Sequence, residues 1–187
     1  MATEIELKAH VHNNEELRLT LSEKAEYLYS FEKKDSYWLA ETSGLPSSGI
    51  RIRGEKRIFP DRNEISLCLV TYKNKEVRDG IEINDEREFS VEPASEFEEF
   101  IIKLEFKPVR SKEKQGWAFS KNGITAELVE VKCLGWFIEL EIIANTADEE
   151  TFVTGKKRLL DLLAELGITE DAIESRFYSV MLSEASS

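Results

Sequence analysis

Run after run of this chain alternates charged and apolar residues with period two. In "EIELKAHVH" (4–12), Glu4, Glu6, Lys8, His10 and His12 share one parity, and Ile5, Leu7, Ala9 and Val11 the other. "IRIR" aligns Arg51 with Arg53, and the following run ends with Lys73. "DEREF" puts Glu86 and Glu88 together, and "VRSKEK" aligns Arg110, Lys112 and Lys114. "FIELE" sets Glu139 and Glu141 opposite Ile138, Leu140 and Ile142. Such alternation marks half-buried strands. Any one charged stripe can simply face water, and for a single strand that is the favoured reading. Together they leave too many apolar faces in need of partners. An antiparallel sheet closed on itself, polar inside and covered by helices outside, supplies them. Charges in such a lumen need compensation, because unpaired buried charge is costly. A polyphosphate compensates Arg and Lys; a hard divalent cation such as Mg²⁺ compensates Glu. Without ligand, the basic side chains are expected to repel one another.

The remaining pattern is α+β, with about eight antiparallel strands. Residues 3–12 predict a strand and 14–31 an amphipathic helix, followed by a strand at 33–41 and a loop at 42–49. The runs 50–59 and 63–75 flank "PDRN" as a hairpin, and 83–91 is the next strand. Ser95 and Glu98 offer a capping box for a helix, and Thr146 and Glu149 another before 148–167, which Gly167 ends. Between them lie strand-like runs at 106–115, 116–122, 124–131 and 136–143. Thr169 can cap a last helix through Leu182. The chain reads as one domain, 1–183, with a frayed tail at 184–187.

Net charge is −12, which argues against a nucleic-acid partner but not against a small anion bound by a local basic cluster. No apolar run is long enough to span a membrane and no signal-like segment opens the chain, so a cytoplasmic protein is expected. Cys68 and Cys133 lack metal-ligand spacing and read as two buried thiols.

"EIELK" resembles the ExExK signature of the CYTH family, the triphosphate tunnel metalloenzymes. In order along the chain, "DSYW" (35–38), "GIRIR", "VTYK", "EREF", "VRSKEKQGW" and "LGWFIELE" are similar to further family motifs. The resemblance implies an eight-stranded antiparallel barrel, open as a tunnel, that works with Mg²⁺ or Mn²⁺. It implies metal-site roles for Glu4, Glu6, Glu139 and Glu141, with Glu88 a further candidate. Lys8, Arg51, Arg53, Lys73, Lys112 and Lys114 would hold phosphates, and Glu4, Glu6, Lys8 and Lys73 would take part in the chemistry. The pattern departs at Val129, where the family has an Asp; Glu127 has the same parity about 7 Å along the strand. Lys114 stands for a common Arg, Trp117 for a Tyr and Ser90 for an acid. His10 and His12, at a strand end, read as surface residues sooner than ligands. Tyr178 resembles a recurring family Tyr and reads as a packing residue.

Three functions fit the resemblance. One is a class IV adenylyl cyclase, turning ATP into cyclic AMP and pyrophosphate; the "EIELKA" opening inclines the reading this way. Another is a hydrolase of inorganic or thiamine triphosphate. The third is a module that binds a triphosphate or nucleotide without turnover. All are compatible with a homodimer.

Overall fold

β1 (Thr3–His10) pairs on one side with β5 (Ile81–Ser90) and on the other with β8 (Gly135–Ala144), and these two pairings close the ring. The computed structural model describes residues 3–40, 49–146 and 148–185, with the side chains of Lys73 and Asn74 left aside. β2 (Glu26–Ala40), β3 (Ile50–Ile58), β4 (Glu64–Arg78), β6 (Phe106–Lys121) and β7 (Ile124–Val131) complete an antiparallel barrel. Its eight strands run β1-β5-β4-β3-β2-β6-β7-β8 around the ring. The expected closed α+β barrel with outer helices is what forms.

Parity assigns the faces. Ile5, Leu7 and Ala9 of β1 and Ile138, Leu140 and Ile142 of β8 point outward into the main core. There they meet Leu17 and Leu21 of α1 (Asn14–Lys24) and Phe152, Leu159 and Leu163 of α3 (Glu149–Glu165). A second outer cluster seats Ile101 of α2 (Ala94–Lys103) on Trp38, Ile52 and Val70. Each fully buried Leu, Ile, Val or Phe among them contributes about 1.5–3 kcal/mol of transfer free energy. Among the described residues, no helix is long and apolar enough to cross a membrane.

Several local expectations are corrected. The predicted 14–31 helix stops at Lys24: Ala25 is extended, and β2 runs on from Glu26 with a register shift between Tyr27 and Tyr29, so that Tyr27 packs outward and Tyr29 and Phe31 inward. The runs 106–115 and 116–122 form one strand, because β2 pairs with β6 on both sides of Gly116. Ser95 caps nothing: α2 begins at Ala94, with Pro93 before it and no side-chain cap. At α3 the cap is Asp148, whose carboxylate accepts from Thr151 N at 2.8 Å while Thr146 Oγ1 donates to it at 2.6 Å. The predicted 169–182 helix divides into a 3₁₀ turn, Glu170–Ala172, and α4 (Tyr178–Ala185), because Ile173 is extended and bridges Ala9. α4 enters the segment read as a tail, whose last two residues lie outside the described ones. Cys133 is exposed and Cys68 half-buried, so the thiols are not a buried pair. The "PDRN" hairpin forms, with Arg62 N donating to Phe59 O and Phe59 N to Asn63 O, both at 2.9 Å. Of the predicted loop at 42–49, only Gly49 falls within the described residues.

Candidate active site

The inward parity of every strand carries charged residues. β1 turns Glu4, Glu6 and Lys8 inward; across the β1–β8 seam, Glu6 lies opposite Glu141 and Lys8 opposite Glu139. Arg51 and Arg53 of β3 stand opposite Tyr37 and Asp35 of β2, and Lys112 of β6 stands opposite Asp35 from the other side. Lys114 follows Lys112 with the same parity. Lys73 lies in β4 opposite Glu86, but its side chain is outside the described residues.

The cations do not face one another unpaired. Arg53 grips Asp35 with two hydrogen bonds, 2.7 and 3.0 Å, and Lys112 approaches the same carboxylate at 3.3 Å. Lys8 donates to Glu82 at 2.9 Å, and Lys75 donates to its other oxygen at 3.0 Å. Lys114 holds both oxygens of Glu139, at 2.5 and 2.8 Å. Arg51 reaches Thr71 at 2.9 Å, Glu86 at 2.8 Å and Glu88 at 3.1 Å. The expected self-repelling basic cradle is therefore a mesh of buried ion pairs, the arrangement that low dielectric demands.

These contacts shift the acids and bases. Burial opposes the charge on Asp35, yet Arg53 and Lys112 hold its carboxyl well below the ordinary range. Burial likewise works against Glu82, and Lys75 and Lys8 override it, bringing its pKa down to about 2. Burial lowers Lys112 and Lys114 to about 8, against the pull of Asp35 and Glu139 respectively. Burial, and then the charge of Glu139, raises the Tyr178 phenol well above its usual value.

At the end where β1 finishes, α4 lays Tyr178 and Met181 against inward residues Phe31, Ala118, Val129, Val131 and Phe137. The Tyr178 ring carries Lys114 at 4.7 Å, Lys112 at 5.2 Å and Lys8 at 5.3 Å from its centroid. This packing role is larger than the sequence reading allowed, because Tyr178 lines the lumen. Val129 belongs to the same apolar lining. Glu127, the neighbour of like parity, is held by Lys33 at 2.6 and 2.7 Å. His10 is half-buried against Phe137 and Glu174, and His12 is exposed.

Among the described residues, three buried polar atoms lack hydrogen-bond partners: Arg51 Nε, Asn84 Oδ1 and Tyr178 Oη. All three belong to lumen-lining residues, and orphan polar atoms of this kind ask for a ligand or water. Arg51 Nε is a donor suited to a phosphate oxygen. Asn84 Oδ1 is a hard oxygen donor, and its amide nitrogen leans toward Glu6 at 3.4 Å. The five metal-site carboxylates read from the sequence do not gather at one point. No three His, Cys, Asp or Glu side chains among the described residues converge on a cation position. The Glu6–Glu141 register pair and Asn84 still fit Mg²⁺ or Mn²⁺, since Mg²⁺ commonly takes one or two carboxylates and completes its shell with water and substrate phosphate.

The sequence reading quoted "DSYW" but gave Asp35 no site role, and parity in "KKDSY" and "IEIN" could have revealed it together with Lys33, Glu82 and Asn84. A cavity of about 900 Å³ beside α2 is lined mostly by outward residues such as Ser36, Gly54 and Cys68, with Asp35 and Lys112 also on its wall.

The family model described as CYTH domain matches residues 2–178. A Methanocaldococcus jannaschii protein, named provisionally as an adenylate cyclase, is 28% identical over 117 residues, 63% of this chain and 66% of that protein. The solved PH1012 protein of Pyrococcus horikoshii OT3 is 27% identical with a TM-score of 0.74, covering 94% of this chain and 96% of its own. A Hippeastrum protein, described provisionally as an adenylyl cyclase and as having a dominant triphosphatase activity, shares the fold. Its identity is 18% and its TM-score 0.64, covering 98% of this chain and 96% of its own.

Proposed function

The chain belongs to the CYTH domain family, and on that premise we propose that it is a metal-dependent enzyme converting ATP into cyclic AMP and pyrophosphate in the barrel lumen. The observation that carries a triphosphate ligand is the orphan Arg51 Nε on a wall shared with Arg53, Lys112 and Lys114. The name of the M. jannaschii relative favours cyclisation. In this reading Arg51 and Arg53 make directional phosphate contacts, while Lys8, Lys73, Lys112 and Lys114 act as point charges. Ligand phosphates compete with Asp35, Glu82 and Glu139 for these cations, so binding rearranges ion pairs already in place.

Glu6 and Glu141, with Asn84, would hold Mg²⁺ or Mn²⁺. When bound, the cation supplies Lewis acidity and neutralises phosphate charge. Glu88, which meets Arg51, and Glu139, which meets Lys114, are further candidate ligands. The ribose 3′-oxygen forms a bond to the α-phosphorus, and the bond from that phosphorus to the bridging oxygen breaks. Pyrophosphate leaves onto Lys8 and Lys73, and Glu4 takes the hydroxyl proton. Preorganised cations stabilise the charge that develops on phosphoryl oxygens.

The test offers purified protein ATP, inorganic triphosphate and thiamine triphosphate with Mg²⁺ or Mn²⁺, and resolves the products by chromatography. Cyclic AMP and pyrophosphate from ATP are expected. Orthophosphate instead would make the chain a triphosphatase, and binding without product would reduce it to a binding module. No binding of any triphosphate overturns the lumen reading.

A further inference from the structure

Lys33 plays no part in the phosphate contacts above, yet it is as enclosed as the residues that do. Its side chain is 7% exposed and that of its partner Glu127 is 14% exposed. The ammonium lies over the Phe31 ring, 4.2 Å from the centroid, and touches both carboxylate oxygens of Glu127. Glu127 stands directly opposite Glu139 in the β7–β8 register. Two acids face to face across adjacent strands repel unless a cation lies between or upon them. Each here carries a lysine of its own, Lys33 on Glu127 and Lys114 on Glu139. Glu55 also feels Lys33, but it is anchored separately by Arg57 at 2.5 Å. The Lys33 ammonium is thus committed to Glu127.

We propose that Lys33 is a built-in counter-ion that keeps the Glu127–Glu139 pair from binding a second divalent cation, so that the lumen takes one cation per chain, on the Glu6–Glu141 side. This rests on the metal reading given above. An ammonium is a fixed monovalent charge delivered by the fold. A divalent ion could replace it on Glu127 only by expelling a buried lysine into a site that already holds Lys114 and Arg53, where its charge would meet theirs. Removing Lys33 reverses this balance. It leaves two opposed carboxylates with a single ammonium, an anionic site open to a hard cation.

Crystals of wild type, Lys33→Gln and Lys33→Gln/Glu127→Gln, each grown with Mn²⁺ and inorganic triphosphate, test this by anomalous scattering at the manganese edge. Wild type should show one peak, beside Glu6 and Glu141. Lys33→Gln should add a peak between Glu127 and Glu139, and the double variant should lose it. In solution, Mn²⁺ should raise the melting temperature of Lys33→Gln by more than that of wild type. A peak on Glu127 in wild type overturns the inference, even if Lys33→Gln does not fold. So does Lys33→Gln without the added peak. A wild-type map with no peak at Glu6 and Glu141 overturns the metal reading itself.

Discussion

Arg53 and Asp35 show how much of this lumen holds itself together before any ligand arrives. The self-repelling set of cations expected from the sequence implies that Arg53→Ala would leave the ligand-free protein unharmed, since the neighbouring cations would then repel less. The bidentate contact with a buried Asp35 predicts the reverse. Breaking a buried pair strands its partner, at about 3–5 kcal/mol, and Lys112 at 3.3 Å offsets only part of that. Urea denaturation of Arg53→Ala should show this loss; a midpoint equal to wild type would refute the pairing. Glu82 predicts the acid limb. Its folded pKa of about 2 lies below the ordinary 4.5, so the stability it contributes is complete above 4.5 and disappears as pH falls toward 2. Glu82→Gln should flatten stability across that window and lower it at pH 7; an unchanged slope would sink the argument. The inward direction of Lys8, Arg51, Arg53, Lys112 and Lys114 was legible from period two. Their partners were not, because which carboxylate meets which cation depends on strand order and register around the ring.

Strand contacts also decide which small residues are replaceable. A Cβ on Gly116 of β6 would lie 2.1 Å from the Leu128 carbonyl oxygen and 3.0 Å from Val129 Cα, both backbone atoms of β7. Neither can swing aside as a side-chain tip would. Gly116→Ala should therefore part β6 from β7 and destabilise the barrel by about 1–3 kcal/mol or more; an unshifted melting curve would contradict this close approach. The strands as elements were mostly legible, and "PDRN" gave the β3–β4 hairpin outright. The α1–β2 junction was obscured because Leu17, Leu21, Tyr27, Leu28 and Phe31 mimic a helical stripe across a break at Ala25. The role of α4 was hidden for another reason. Tyr178 and Met181 look like an ordinary amphipathic face until the fold delivers them to Phe137 and Val129, distant in sequence.

The molecule as a whole should answer alkaline pH in two opposite ways. Burial drops Lys112 to about 8, below its usual 10.5, so the folded protein gives up this proton before the unfolded chain does. Its contribution to stability therefore rises with pH between those values, while its attraction for phosphate fades. In metal-free buffer, the rise in melting temperature caused by inorganic triphosphate should shrink between pH 7 and 9.5. Lys112→Arg, which stays charged, should shrink less. Equal losses in both proteins would remove Lys112 from the phosphate site.

Ring closure also imposes an order of events on synthesis. β1 leaves the ribosome before the other seven strands of the barrel, yet its seam partner spans Gly135–Ala144. Such distant pairing carries a large loop-closure entropy and slows folding. While it waits, the nascent strand exposes Ile5, Leu7 and Ala9 along an unsatisfied edge open to wrong partners, and Glu4, Glu6 and Lys8 make it a poor template for aggregation. The charges that later face the lumen thus serve first as gatekeepers on a strand made early and seated late.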